Sequence, residues 1–199
     1  VFLNCLFKYD YQNNYLTEIV EAGYCLYGPK TILVKTNNKI VETYLLNKED
    51  KFISGKELRF DSTTNLKMYS INSSNKYSNE INNYIVFLNC RKYNQRWIGS
   101  MVADCHQILL KGGIFLYPES NKYPEGKLRS LYEVIPFSYI FHCAGGIGVN
   151  CNYLPIYTNF INVNLSTIDL HKPSSIILAS MEEYNIMKEY FDLSDNMKC

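Results

Sequence analysis

Residues 100–118 write out a helix followed directly by a strand, the best-written stretch of the chain and one that excludes an all-helical or all-strand fold. Ser100 suits an N-cap, and Met101, Val102, Cys105, Ile108 and Leu109 fall on one helical stripe. Lys111 sits in the last turn and Gly112 just beyond it, the usual signs of a helix end. Ile114-Phe115-Leu116-Tyr117 then reads as a buried strand, closed by Pro118. Residues 137–143 read as a second helix, with Pro136 tolerated in its first turn and Gly145-Gly146 ending it. A last strand, Ile176-Ile177-Leu178, feeds a helix opened by a capping box from Ser180 to Glu183. Strands alternating with helices from Trp97 onward predict an α/β layered domain: a mixed β-sheet flanked by helices.

The first third is written differently. Val1-Phe2-Leu3-Asn4-Cys5-Leu6-Phe7 reads as a buried strand entered without cap or turn, as if cut from something longer. Its Val1, Phe2, Leu3 and Leu6 are candidates for apolar surface that another segment covers. Leu16-Thr17-Glu18-Ile19-Val20-Glu21-Ala22 places apolar residues at helical spacing, which predicts a short helix ending near residues 23–28. Thr31-Ile32-Leu33-Val34-Lys35 and Ile40-Val41-Glu42-Thr43-Tyr44-Leu45-Leu46 are β-branched and apolar. Asn37-Asn38 between them tolerates positive φ, so a hairpin is expected, adding antiparallel members to the mixed sheet. Phe52 and Ile53 extend it by a third strand, and residues 79–88 read as a helix after a polar loop.

At 199 residues the chain is long enough for one well-buried core. Its 20 basic and 19 acidic residues leave a net charge of +1, so no bulk charge recruits nucleic acid and any anion site must be local. The apolar runs fall far short of the roughly 20 residues that span a bilayer, and no secretory leader is visible, so a cytoplasmic location without membrane contact is expected. Seven cysteines occur without CxxC or a zinc spacing, and read as reduced and mostly buried. His106 and His142 sit on helical patterns and read as structural.

A local anion site is written at Gly126-Lys127-Leu128-Arg129-Ser130-Leu131-Tyr132-Glu133. Side chains alternate along an extended segment, so Lys127 and Arg129 share a face while Leu128 points away. Glu133 has two readings. It completes Ser-x-x-Glu with Ser130, a helix-start signature. It is also a carboxylate that suits a hard divalent cation, and Pro136 favours this second reading by placing the helix start beyond Glu133.

This segment, together with Arg96-Trp97-Ile98-Gly99-Ser100-Met101-Val102-Ala103-Asp104 and Gly112-Gly113-Ile114-Phe115-Leu116-Tyr117-Pro118, strongly resembles the C-terminal half of class I fructose-1,6-bisphosphatases. Weaker likeness at residues 21–28, 69–72, 171–173 and 177–180 extends the resemblance over nearly all of the chain. The resemblance implies hydrolysis of the 1-phosphate of fructose 1,6-bisphosphate in gluconeogenesis. It implies Glu133 as a ligand for Mg²⁺, with Mn²⁺ or Zn²⁺ as substitutes, and Arg129 beside the reacting 1-phosphate. Lys127, Tyr117 and Asn72 would hold the distal 6-phosphate, and Ser100 and Met101 would lie along the sugar. Arg96 would reach the 6-phosphate of a neighbouring subunit, so the resemblance implies a homo-oligomer, a tetramer in the family.

Two positions depart from the family pattern. Trp97 and Asn75 stand where phosphate-binding tyrosines are common, with Tyr77 close to the second. The chain also has no Asp-Pro-Leu-Asp-Gly-Ser run, the family's metal motif, and Asp192 and Asp195 stand in the wrong context to replace it. By the resemblance, that motif and the family's AMP site would lie upstream of Val1, and the chain alone would be the substrate-binding half, without activity. Sedoheptulose-1,7-bisphosphatase and a non-catalytic sugar-phosphate-binding module are the alternatives.

Overall fold

Five consecutive strands open the chain and pair in sequence order: β1 (Phe2–Asp10), β2 (Tyr15–Leu26), β3 (Ile32–Asn37), β4 (Ile40–Leu46) and β5 (Phe52–Leu58). All four pairings are antiparallel. The structure, a computed structural model, describes residues 2–37, 39–61, 66–159, 163–164 and 169–196, without the side chains of Phe2, Asn4, Asn159, Val163 and residues 193–196. The hairpin at β3 and β4 forms as expected. Its positive φ falls on Lys39, at 66°, while Asn38 lies outside the described residues. Leu3 packs against the core, whereas Leu6 is exposed.

The helix expected over residues 16–22 is instead the first half of β2. Two register shifts in the β1–β2 pairing explain the misleading spacing. Tyr9 faces Leu16, Phe7 faces Ile19 and Cys5 faces Ala22, so each step of two on β1 matches a step of three on β2. Bulges thereby bring residues three apart to one face of a strand, where a regular strand would need a spacing of two. Leu16, Ile19 and Ala22 are all buried there.

The second sheet is mixed, and the hairpin does not belong to it. It is assembled around β6 (Met68–Ser70), which leads through α1 (Asn79–Cys90) to the edge strand β7 (Asn94–Gln95). Next come α2 (Met101–Lys111) and β8 (Ile114–Tyr117), then the short β9 (Leu128–Arg129) and a π-helical turn (Ser130–Val134) running into α3 (Ile135–Cys143). The remainder is β10 (Gly146–Val149), α4 (Ile156–Asn159), β11 (Val163–Asn164), β12 (Pro173–Ser174), β13 (Ile176–Ser180) and α5 (Met181–Asn196). The sheet order is β10-β13-β8-β6-β7, with β6 parallel to both neighbours and the other pairs antiparallel. Separately, β12 pairs with β9, and β11 adds to β2 at Tyr15 and Leu16, where β3 does not reach.

Strand β8 shows how the layers stack. Ile114 and Leu116 pack with Tyr84 and Leu88 of α1 and Met187 and Phe191 of α5. Phe115 and Tyr117 join the other core, with α2, α3 and the inner face of the antiparallel sheet at Tyr24, Val34 and Val41. Helix α3 contacts strands of both sheets, and seven of its nine residues are buried. A helix apolar all round belongs between layers rather than on a surface.

Several local expectations need correction. Gly145, at φ 83°, ends α3, but Gly146 is the first residue of β10 and lies too close to Ala179 O for any side chain. Glu133 lies inside the π-helical turn rather than ahead of it. Ser180 caps Glu183 N at 3.3 Å, and the buried Glu183 carboxylate also accepts from Tyr93 OH at 2.9 and 2.7 Å. Asp192 is exposed on α5, and the Asp195 side chain lies outside the described residues. Among the described residues the cysteines are free but less buried than expected: Cys25 and Cys105 are buried, Cys5, Cys143 and Cys151 half-buried, and Cys90 exposed. Among the described residues no helix is long and apolar enough to cross a membrane.

Candidate active site

Parallel pairing of β6 and β8, Tyr69 with Ile114 and Ser70 with Phe115, makes both strands leave the sheet at the same end. Open α/β sheets collect ligands at the carboxyl ends of their strands. Asn72 lies two residues beyond β6, and Tyr117 is the last residue of β8. Tyr77 joins them. Its hydroxyl donates to Asn72 O at 2.9 Å and receives Asn75 Nδ2 at 3.2 Å. Burial pushes its pKa up; the Asn75 bond opposes the shift and the nearby Tyr117 hydroxyl adds to it. Asn72 Oδ1 is committed to Ser74 N at 3.1 Å in a local turn, leaving Nδ2 as the donor for a ligand. Tyr117 is 6% exposed, with its ring centroid 6.1 Å from that of Trp97.

The segment 126–133 is held by its backbone. Gly126 has φ 88°, and a Cβ there would sit 2.2 Å from Ser174 C, so the strand runs hard against its neighbour. Arg129 then pairs with Pro173 and Leu128 with Ser174. Leu128 is buried, Arg129 half-buried and Lys127 exposed, the alternation expected of extended chain. Lys127 Nζ rests 5.5 Å from the centroid of the Tyr123 ring. Glu133 Oε2 accepts from Arg129 N at 2.6 Å. The capping role is therefore real, although its partner is Arg129 rather than Ser130. Ser130 instead binds Lys172 O through its amide at 2.9 Å and its hydroxyl at 3.0 Å, and Tyr132 OH meets His171 Nδ1 at 3.1 Å.

The third group precedes α2. Arg96 N donates to Tyr69 O at 2.8 Å, while the exposed Arg96 side chain lines a cavity of about 310 Å³ with Trp97, Asp104, Gln107 and Lys111. Ser100 is half-buried and takes the N-cap position without a side-chain cap bond; Met101 packs against the core. The sequence residues thus fall into three clusters: Asn72 with Tyr117, Lys127 with Arg129 and Glu133, and Arg96 with Ser100 and Met101. Among the described residues no hydrogen bond joins Lys127 to Asn72 or Tyr117.

Glu133 retains one oxygen for a cation. No group of three or more His, Cys, Asp or Glu side chains gathers among the described residues, so these residues alone do not fit a multi-ligand metal centre. His106 and His142 are structural, as expected. His106 Nδ1 bonds the Tyr24 hydroxyl at 2.8 Å, and burial pushes its pKa down to about 4; His142 stacks on Tyr157. Sequence reasoning noted Tyr77 only as a neighbour of Asn75, and gave no part to Tyr123 or Asp104. An acidic residue in the first turn after Gly-Ser was a usable signal for Asp104; nothing local marked Tyr123.

A family model described as "Fructose-1-6-bisphosphatase, C-terminal domain" matches residues 62–192, which begin just past the antiparallel sheet. The chain belongs to the fructose-1,6-bisphosphatase family. It is 36% identical over 186 residues to the class 1 fructose-1,6-bisphosphatase of Polynucleobacter necessarius subsp. necessarius, an alignment covering 86% of this chain and 52% of that protein. Among solved structures, Leishmania major fructose-1,6-bisphosphatase in its holo form superposes with a TM-score of 0.78 at 32% identity, covering 90% of this chain and 60% of that one. The same enzyme in the T-state gives 0.78 at 34%, covering 87% and 53%. The chain therefore spans about half the length of the curated relative and somewhat more of the solved ones. The resemblance and the mixed α/β fold drawn from the sequence both hold.

Proposed function

We propose that the full-length protein is a fructose-1,6-bisphosphatase and that this chain supplies most of its substrate-binding side chains. The observation that carries the reading is the fixed segment 126–133, which places Lys127 directly before the strand that carries Arg129 and returns the Glu133 carboxylate to the Arg129 amide. Lys127, exposed above an aromatic ring, suits the 6-phosphate, with the Tyr117 hydroxyl and the Asn72 amide as further donors. Arg129 is assigned to the reacting 1-phosphate, where its fixed charge offsets the negative charge that develops on the transferring oxygens. Ser100 and Met101 lie along the sugar. Arg96, exposed beside the edge strand β7, is assigned to a neighbour's 6-phosphate in a homo-oligomer, tetrameric by the resemblance.

Glu133 is proposed as one ligand of Mg²⁺, with Mn²⁺ or Zn²⁺ as substitutes. Mg²⁺ demands a near-octahedral set of oxygens, so its other ligands must come from outside the described residues. What these residues do is bind and orient both phosphates. The 199-residue chain by itself is accordingly expected to bind the sugar bisphosphate without hydrolysing it. A cytoplasmic location is proposed, with neither nucleic acid nor membrane as partner.

A second reading, sedoheptulose 1,7-bisphosphate as substrate, is favoured by the two departures around the distal phosphate. Asn75 spends its amide on Tyr77, and Trp97 offers an indole N–H in place of a phenol. Phosphate release by the full-length protein with Mg²⁺ separates the readings. Faster turnover of fructose 1,6-bisphosphate than of sedoheptulose 1,7-bisphosphate, with fructose 6-phosphate untouched, is expected. Inertness toward all three with sugar-phosphate binding retained would replace the enzyme by a binding module.

A further inference from the structure

The first turn of α2 carries a buried carboxylate to which the proposed function gives no role. Asp104 is 1% exposed and accepts three hydrogen bonds: Ser70 Oγ at 2.9 Å and Ile98 N at 3.0 Å on Oδ1, and Gly99 N at 3.2 Å on Oδ2. An anion taken out of water is costly unless donors are aimed at it. Here every donor comes from a segment tied to the candidate site. Ser70 ends β6 two residues before Asn72, and Ile98 and Gly99 lie between Arg96 and Ser100. Ser100, which holds the N-cap position, makes no side-chain cap bond.

The Asp104 carboxylate therefore adds a second tie between β6 and the loop before α2, beyond the backbone bond that already joins them. The loop before α2 is anchored at one end by Arg96 N on Tyr69 O, at 2.8 Å. Its other end turns through Gly99, at φ 87°, onto the helix. Between these points its two amides point at Asp104. A negative group in the first turn also sits well against the helix dipole, so the side chain serves helix and loop together.

We infer that Asp104 is a positioning residue that sets loop 96–101 against the end of β6, and so fixes Arg96, Ser100 and Met101 relative to Asn72. The inference rests on the proposed sugar-bisphosphate site. It adds a residue that touches no substrate but decides how its neighbours meet one.

Asp104→Asn in the full-length protein tests it. The substitution keeps the shape but sets an NH₂ group against a backbone N–H donor on one side. KM for fructose 1,6-bisphosphate is expected to rise about ten-fold while kcat changes by less than about three-fold, the signature of lost ground-state positioning. Ser70→Ala removes one of the three bonds without adding a donor, and is expected to raise KM by about two-fold. If D104N does not fold, S70A decides alone. Folded variants with a lowered melting temperature and unchanged KM would overturn the inference and leave Asp104 a structural cap. A wild-type protein that does not hydrolyse the bisphosphate would defeat the proposed function instead, and sugar-phosphate affinity of D104N by calorimetry would then decide the positioning role by the same criterion.

Discussion

The Tyr24 hydroxyl lies 2.8 Å from Nδ1 of His106, joining β2 to α2 across 82 positions of sequence. Burial holds the imidazole neutral by lowering its pKa from 6.5 to about 4. An unfolded chain therefore binds a proton between these values that the folded chain refuses. The resulting stability is complete above pH 6.5 and is lost as pH falls toward 4. Denaturant titrations at pH 7 and pH 4.5 are expected to differ by up to about 3 kcal/mol from this group, and His106→Gln should flatten the difference. An unchanged slope in the variant would assign the acid sensitivity to other groups.

Glu133 serves both the fold and the proposed metal, and two substitutions separate these roles. Glu133→Gln keeps an oxygen for the Arg129 amide but removes the charge that a cation needs. It is expected to preserve the melting temperature and to raise the Mg²⁺ concentration for half-maximal activity by about 10–100-fold, the scale seen even for lost outer-shell partners. Glu133→Ala should lose stability as well, by about 1–3 kcal/mol for the orphaned amide. Equal Mg²⁺ dependence in wild type and E133Q would leave only the capping role.

Lys127→Ala should weaken bisphosphate binding through the 6-phosphate. A hydrogen bond to a charged group contributes about 1.5–3 kcal/mol, so KM should rise roughly 10–100-fold with kcat little changed. Tyr123→Leu, which removes the ring beneath the ammonium, should move KM the same way by less. A large fall in kcat at constant KM for K127A would contradict the assignment.

Gly126→Ala tests the backbone that presents both cations. The added Cβ would meet Ser174 C and O at 2.2 and 2.3 Å, and the φ of 88° is itself strained for alanine by about 1–2 kcal/mol. The variant should be destabilised beyond that strain, and hydrogen exchange should rise at Leu128, Arg129 and Ser130, whose amides lie in the strand and turn that follow. Wild-type exchange at these amides would show that Ser174 moves aside at little cost.

The sequence by itself determined the elements whose burial follows simple periodicity. The apolar stripe and the C-terminal end of helix α2 could be read because Val102, Cys105, Ile108 and Leu109 meet the core, and β8 because all four of its residues are buried. The exposure of Lys127 and the burial of Leu128 were legible for the same reason, since alternation along extended chain is local geometry. Membership of the family was also written in these runs. Only the tertiary structure decided the rest. Leu16, Ile19 and Ala22 carry a helical spacing, yet two bulges against β1 make them one face of a strand, and a bulge is a property of two chains pairing, invisible in either alone. Whether the β3–β4 hairpin joined the mixed sheet depended on α3, whose apolar surface all round holds the two sheets in separate layers. Glu133 bonded to Arg129 and Asp104 gathering Ser70, Ile98 and Gly99 are likewise contacts that spacing does not encode, because the partner of a polar side chain is chosen by whichever donors folding brings within 3 Å.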